Sequence, residues 1–166
     1  MAEITLKGTL IHTVGELPAV GSTAPDFRLT NGELRDLGLS DFEGKRKVLN
    51  IVGSLDTSVC AVSARTFNER AGAIDNVVVL TVSADLPFAQ SRFCETEGLD
   101  HVVALSCFRS PAFGSDYGVT VVDGPTAGLL SRAILVLDEA NRIVHAEQVP
   151  EIVQEPDYDA ALKALN

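Results

Sequence analysis

The rhythm of apolar and polar positions changes once along the chain. Up to Gly44 the pattern is short and alternating. Ile4-Thr5-Leu6, Gly8 and a second extended stretch through Ile11-His12-Thr13 predict an opening β-hairpin, followed by turns at Gly15-Glu16-Leu17-Pro18 and Gly21. Asp26-Phe27-Arg28-Leu29-Thr30 alternates as a strand does, with Asn31-Gly32 as its turn. From Lys45 onward, buried strands alternate with helices. Val48-Leu49-Asn50-Ile51-Val52 predicts a strand, about Ser58 to Ala73 a helix, and the continuous apolar run Val77-Val78-Val79-Leu80-Thr81-Val82 a central parallel strand.

Pro87, favoured at a first helical position, opens a second predicted helix that Gly98 stops. Val102-Val103-Ala104-Leu105 is read as a short strand, followed by a connection bearing Gly and Pro. Ala133-Ile134-Leu135-Val136-Leu137 and Ile143-Val144-His145-Ala146-Glu147 then flank Asp138-Glu139-Ala140-Asn141 as an antiparallel hairpin. After Pro156, the apolar stripe Ala160, Ala161, Ala164 and Leu165 predicts a closing helix packed on the sheet. The order implies an α/β fold, a mixed sheet with helices on both faces. No repeat or linker interrupts it, and 166 residues suit a single domain spanning 1–166.

Composition narrows the function classes. With 46% apolar and 22% charged residues the chain has enough apolar surface to fold. Its net charge of −10 repels phosphate backbones and anionic lipid, so neither nucleic acid nor a membrane surface is an expected partner. The start Met1-Ala2-Glu3-Ile4-Thr5-Leu6-Lys7-Gly8 lacks the basic-then-apolar order of an export signal. Three cysteines, Cys60, Cys94 and Cys107, are an odd number, unlike the framework of a small secreted domain, and a reducing cytoplasm is the expected location.

The residues around Cys60 carry the chemistry. Asn50 to Arg65 runs from strand through turn to helix. With Thr57 as N-cap, Cys60 falls at the third helical position, where unpaired amides and the positive end of the helix dipole favour a thiolate, the nucleophilic form. Read from position alone, Cys60 is equally well a small apolar residue packed in the first helical turn. Arg132 shares a strand face with Ile134 and Val136 and so needs a partner there; the alternative is a surface arginine at a strand start.

Thr57-Ser58-Val59-Cys60 resembles the T-x-x-C half of the peroxiredoxin pattern P-x-x-x-T-x-x-C. Thr81 to Cys94, with its words Ser83-Ala84-Asp85-Leu86-Pro87-Phe88-Ala89, is similar to the resolving-cysteine helix of that family's thiol peroxidase branch, an atypical 2-Cys type. Val14-Gly15-Glu16-Leu17-Pro18, Asp123-Gly124-Pro125 and Glu155-Pro156-Asp157-Tyr158 resemble its other recurrent phrases, so the likeness covers nearly the whole chain. The resemblance implies a thioredoxin-like fold with an N-terminal β-hairpin extension. It implies hydrogen peroxide and organic hydroperoxides as substrates, thioredoxin as reductant, an antioxidant role and a homodimer. Within it, Cys60 would be oxidised to a sulfenic acid, Cys94 would resolve that acid as an intramolecular disulfide, Thr57 would hydrogen-bond the sulfur and the peroxide, and Arg132 would favour the thiolate and stabilise the transition state. A cysteine pair on separate packed helices seldom has disulfide spacing, so turnover is expected to need local unfolding.

The chain departs from the pattern at Gly53, where the family has proline. Glycine widens the backbone's range and removes cover from the sulfur, so weakened catalysis is expected. Cys107 matches no catalytic position and reads as a half-buried thiol at a strand end. His12, His101 and His145 are scattered, no C-x-x-C occurs, and neither a G-x-G-x-x-G nor a P-loop is present, so no metal or other cofactor is expected. Two other classes stay open: a redox sensor or holdase whose Cys60 oxidation controls partner binding, and a non-catalytic scaffold on the same fold.

Overall fold

The computed structural model describes residues 1–166. The chain opens with β1 (Glu3–Leu6) and β2 (Thr9–His12), then forms β3 (Leu29–Thr30) and β4 (Asp36–Leu37). A 3₁₀ helix at Leu39–Phe42 precedes β5 (Arg46–Ile51), α1 (Ser58–Arg70), β6 (Val77–Ser83), α2 (Pro87–Glu97) and β7 (Val102–Ser106). α3 (Ala112–Asp116), β8 (Ala133–Leu137), β9 (Ile143–Gln148) and α4 (Tyr158–Lys163) complete it. No helix is long and apolar enough to cross a membrane.

The predicted hairpin forms as β1 and β2, a two-stranded sheet of its own. Lys7 and Gly8 turn it with φ of 50° and 83°, the left-handed pair that matches strand twist. The main sheet has seven strands in the order β4-β3-β7-β6-β5-β8-β9. β5, β6 and β7 are parallel, and the strands on both flanks are antiparallel, so the sheet is mixed as the pattern implied.

Alternation along β5 assigns the two faces. Leu49 and Ile51 point into an 18-residue cluster with Leu80, Val82, Leu105, Leu135 and Leu137. That side is covered by Phe27, by Leu39 of the 3₁₀ helix, by Phe113 of α3, and by Tyr117, which stacks on Phe113 at 4.6 Å. Val48 points to the other face with Val79, Ile134 and Val136, under Phe67 of α1 and Ala161 of α4. The crossovers β5-α1-β6 and β6-α2-β7 both step in one direction across the sheet, so their shared handedness puts α1 and α2 on this same face.

Local signals set the helix ends. Pro87 occupies the first turn of α2 and Gly98 ends it with φ 65°, its amide reaching the Cys94 and Glu95 carbonyls. α4 is capped by the Asp157 carboxylate, which accepts from the Ala160 amide at 3.0 Å.

Three expectations are corrected. The strand read over Asp26–Thr30 is reduced to Leu29–Thr30, because the Asp26 carboxylate accepts from the Phe27 and Leu39 amides and ties residues 26–28 to the 3₁₀ helix. The reversal after it is not a two-residue Asn31-Gly32 turn but a loop to Arg35, in which Asn31 Oδ1 accepts from the Glu33 and Arg35 amides and Leu34 takes φ 64°. The connection after β7 contains α3, a single short turn of helix set between Pro111 and Gly118. Gly118 ends that segment with φ +69°, and a Cβ there would lie 2.2 Å from the Glu16 carbonyl oxygen, so only glycine lets residues 14–18 pass.

Candidate active site

α1 starts at the carboxyl end of β5, and Thr57 is its N-cap by backbone conformation, with φ −93° and ψ 146°. Cys60 is the third helical residue and is 2% exposed. Arg132 comes to it from the residue just before β8, on the same sheet face as Ile134 and Val136, and is likewise 2% exposed. Its Nη2 donates to Cys60 Sγ at 3.1 Å, and its Nε donates to the Ile152 carbonyl at 2.7 Å. Nη1 is buried without a partner. One guanidinium thus holds the sulfur, is itself held by a backbone carbonyl, and keeps one donor edge free.

Thr57 lines the same cavity as Cys60 and Arg132, but its hydroxyl donates to the Ser54 carbonyl at 2.9 Å. The sequence reading put that hydroxyl on the sulfur and on its own helix; neither bond is present, and the helix cap carries no side-chain hydrogen bond. Ser54 approaches because its neighbourhood is stapled by Asp85. The Asp85 carboxylate accepts from Ser54 Oγ at 2.7 Å, the Leu55 amide at 2.8 Å and Ser83 Oγ at 2.7 Å, joining the loop before α1 to the end of β6.

The cavity measures about 300 Å³, with apolar walls from Leu6, Leu129, Leu130, Ile152 and Val153 around the polar group of Thr57, Cys60 and Arg132. A larger and more open hollow of about 430 Å³ beside Arg28 and Arg109 holds no cysteine. Gly53 lines the cysteine cavity; its φ is not left-handed, and an added Cβ would meet only the Leu130 carbonyl, at 3.4 Å.

Cys94, on α2, packs half-buried against a cluster of Val52, Leu55, Cys60, Ala64 and Leu99. Both cysteines are free thiols that share one apolar cluster. Burial pushes the Cys94 thiol above its ordinary range. Cys107 belongs to the cluster on the opposite face of the sheet, where burial pushes its thiol up to about 11. No group of three His, Cys, Asp or Glu side chains is placed to hold a metal ion.

The sequence reading missed three parts of the site: the Ile152 carbonyl that anchors Arg132, the Asp85 staple, and the hairpin residue Leu6 in the cavity wall. The first is a contact across 20 residues to a backbone carbonyl, and the last brings the N-terminal hairpin against residues far along the chain; no local pattern marks either. Asp85 was visible only as part of a recurrent phrase.

A buried thiol in contact with a buried arginine, on a helix at the carboxyl end of a parallel strand of a thioredoxin-like sheet, is the arrangement of a thiol-redox protein. Residues 19–162 match the redoxin family. The chain is 58% identical over 165 residues to the thiol peroxidases of Mycobacterium tuberculosis (strain H37Rv) and Mycobacterium bovis, which covers 99% of this chain and 99% of each relative. The solved structure of a peroxiredoxin-like protein from Aquifex aeolicus superposes with a TM-score of 0.92 at 34% identity, covering 99% of this chain and 96% of that one. A thiol peroxidase structure from Chromobacterium violaceum shares the fold, with a TM-score of 0.92 at 24% identity over 98% of this chain and 94% of that one. The chain belongs to the redoxin family and, within it, to the thiol peroxidases. Its reaction class is thiol-dependent reduction of peroxides, and it is a peroxidase oxidoreductase.

Proposed function

We propose that the chain reduces hydrogen peroxide and organic hydroperoxides at Cys60, with Cys94 as the resolving thiol. The observation that carries this reading is the 3.1 Å contact of Arg132 Nη2 with Cys60 Sγ at the floor of an apolar-walled cavity. The Cys60 thiolate attacks the terminal oxygen of the hydroperoxide. The S–O bond forms as the O–O bond breaks, and the departing alkoxide or hydroxide takes up a proton to leave as alcohol or water. The unpartnered Nη1 of Arg132 is the donor available to the charge that develops on the breaking O–O bond. Because the Thr57 proton is committed to the Ser54 carbonyl, the lone pairs of its oxygen are left to accept the hydroperoxide O–H.

The Cys94 thiol then condenses with the sulfenic acid, forming the S–S bond and releasing water. A dithiol protein of the thioredoxin type exchanges with that disulfide and returns both thiols. The apolar walls of Leu129, Leu130, Ile152 and Val153 suit the alkyl group of an organic hydroperoxide. The protein works in a reducing cytoplasm as a homodimer; analytical ultracentrifugation of the reduced protein checks the second point.

The test is to mix fully reduced protein with one equivalent of tert-butyl hydroperoxide, trap free thiols and map the products by mass spectrometry. Rapid loss of two thiols as a Cys60–Cys94 disulfide is expected. Persistence of free Cys60 overturns the reading and turns attention to oxidation-dependent partner binding or a scaffold role.

A further inference from the structure

The hairpin β1–β2 stands outside the main sheet, and a two-stranded hairpin has little stability alone. Three attachments hold it. One is apolar, where Ile4 and Ile11 pack on Val121. A second joins His12, at the end of β2, to Asp123, whose Oδ1 accepts from the His12 amide at 2.7 Å. The third, on the side of the cysteine cavity, converges on the side chain of Glu151, which lies in the segment after β9. Its Oε1 accepts from the Gly8 amide at 2.8 Å and Thr5 Oγ1 at 3.0 Å, and its Oε2 from the Lys7 and Val153 amides, each at 3.1 Å. No cation takes part. Four neutral donors from a turn, a strand and the following backbone surround one carboxylate.

The backbone repeats the connection. The Thr5 amide donates to the Pro150 carbonyl at 2.8 Å, and the Ile152 amide donates to the Thr5 carbonyl at 2.9 Å. Residues 150–153 are therefore fixed on both sides of Ile152, and the Ile152 carbonyl is the acceptor of Arg132 Nε. Arg132 has no carboxylate partner; its side chain is held by this carbonyl and by the Cys60 sulfur. Whatever sets the Ile152 carbonyl sets the direction of the guanidinium, and with it the donor edge that faces the reacting oxygens. The same latch positions Leu6 and Val153 in the cavity wall.

We propose that Glu151 is a positioning residue for peroxide reduction: it latches the N-terminal hairpin to residues 150–153 and so aims Arg132 at Cys60 through the Ile152 carbonyl. This rests on the reading of Cys60 as the thiol that attacks peroxide, and it assigns the hairpin a role in the chemistry. Glu151 touches neither sulfur nor substrate. Its four partners are all donors, so glutamine, nearly the same size, must turn an NH₂ group toward donors and breaks at least one bond. A well-packed arginine displaced by a fraction of its length loses transition-state contact faster than it loses folding.

The experiment compares wild type with Glu151→Gln and with Thr5→Val, which removes one donor and leaves the charge unchanged. Sulfenate formation with tert-butyl hydroperoxide is followed by stopped flow from pH 4.5 to 8, alongside thermal unfolding. The expected result is a fall in the second-order rate of about tenfold for Glu151→Gln and a smaller fall for Thr5→Val, with the acid limb of the rate profile moved toward higher pH in both. Alkylation of Cys60 by iodoacetamide, which does not use the arginine's free edge, should fall less than the peroxide rate. An unchanged peroxide rate in folded Glu151→Gln, or equal losses with peroxide and iodoacetamide at an unshifted profile, overturns the latch. Wild-type protein that forms no sulfenate overturns instead the reading on which the latch rests.

Discussion

Cys94 lies against the same apolar cluster as Cys60, and burial there raises its thiol above the ordinary range. In the proposed cycle, opening of α2 to solvent would both lower the Cys94 thiol toward its ordinary range and bring it to Cys60, so that activation and disulfide formation would be one conformational event. Hydrogen exchange around residues 57–64 or 90–97 should rise in the disulfide form relative to the reduced form. Equal protection in both redox forms would remove local unfolding from the cycle.

Arg132→Lys should cost about 100-fold in the rate of sulfenate formation, measured by stopped flow. A lysine ammonium cannot span the Ile152 carbonyl and the Cys60 sulfur while offering a third edge, as the guanidinium does. A rate within threefold of wild type would show that charge alone suffices.

Gly53→Pro should be tolerated by the fold, since the φ of Gly53 is not left-handed, its amide donates no hydrogen bond, and an added Cβ meets only the Leu130 carbonyl at 3.4 Å. Restricting the unfolded chain should add about 0.4–1 kcal/mol, read from chemical denaturation. Because Gly53 lines the cysteine cavity, the variant should also react faster with peroxide or resist over-oxidation; if neither rate moves, shielding of the sulfur by this loop is not what proline provides.

Acid should loosen the hairpin. The Val153 amide, with those of Gly8 and Lys7 and the Thr5 hydroxyl, holds the Glu151 carboxyl at about 2, below its ordinary 4.5. A depressed carboxyl stabilises the fold above its unfolded value, and that contribution is lost as pH falls from 4.5 toward 2. Stability of the wild type should therefore drop more steeply through this window than that of Glu151→Gln, in urea titrations at a series of pH values. Parallel slopes would mean that the carboxylate is as free in the folded chain as in the unfolded one.

Gly118→Ala should destabilise by about 2–4 kcal/mol, the sum of a left-handed backbone penalty and a clash with the Glu16 backbone. Denaturation midpoints decide this; a loss below 0.5 kcal/mol would mean that residues 14–18 move aside at little cost.

The regular middle of the fold was legible because its signals are local. Pro87 and Gly98 mark both ends of α2, and the run Val77–Val82 could only be a buried strand. α3 was not, because Ala112–Asp116 is too short to carry an apolar stripe and is held by Phe113, which packs edge-on to Phe27 and stacks on Tyr117. In the site, Thr57 as cap and Arg132 on the strand face that carries Ile134 follow from period and position, and the family pattern supplied the pairing of Arg132 with Cys60. The direction of the Thr57 hydroxyl was not readable, because it depends on the Ser54 carbonyl, which the Asp85 carboxylate places from the end of another strand.

The unreversed progression from β5 to β6 to β7 has a further effect on the oxidised chain. With α1 and α2 on one face, a Cys60–Cys94 bond closes a covalent ring from residue 60 to 94 that contains the whole of β6. In the chain-entropy description such a ring disfavours the unfolded ensemble by about 4 kcal/mol. On the proposed cycle, oxidation would push two quantities in opposite directions: the cysteine-bearing turns would become looser, while the molecule as a whole would become harder to unravel. A melting curve alone would then rank the oxidised form as the tighter one, in the very state where the helix bearing Cys60 or Cys94 is least formed.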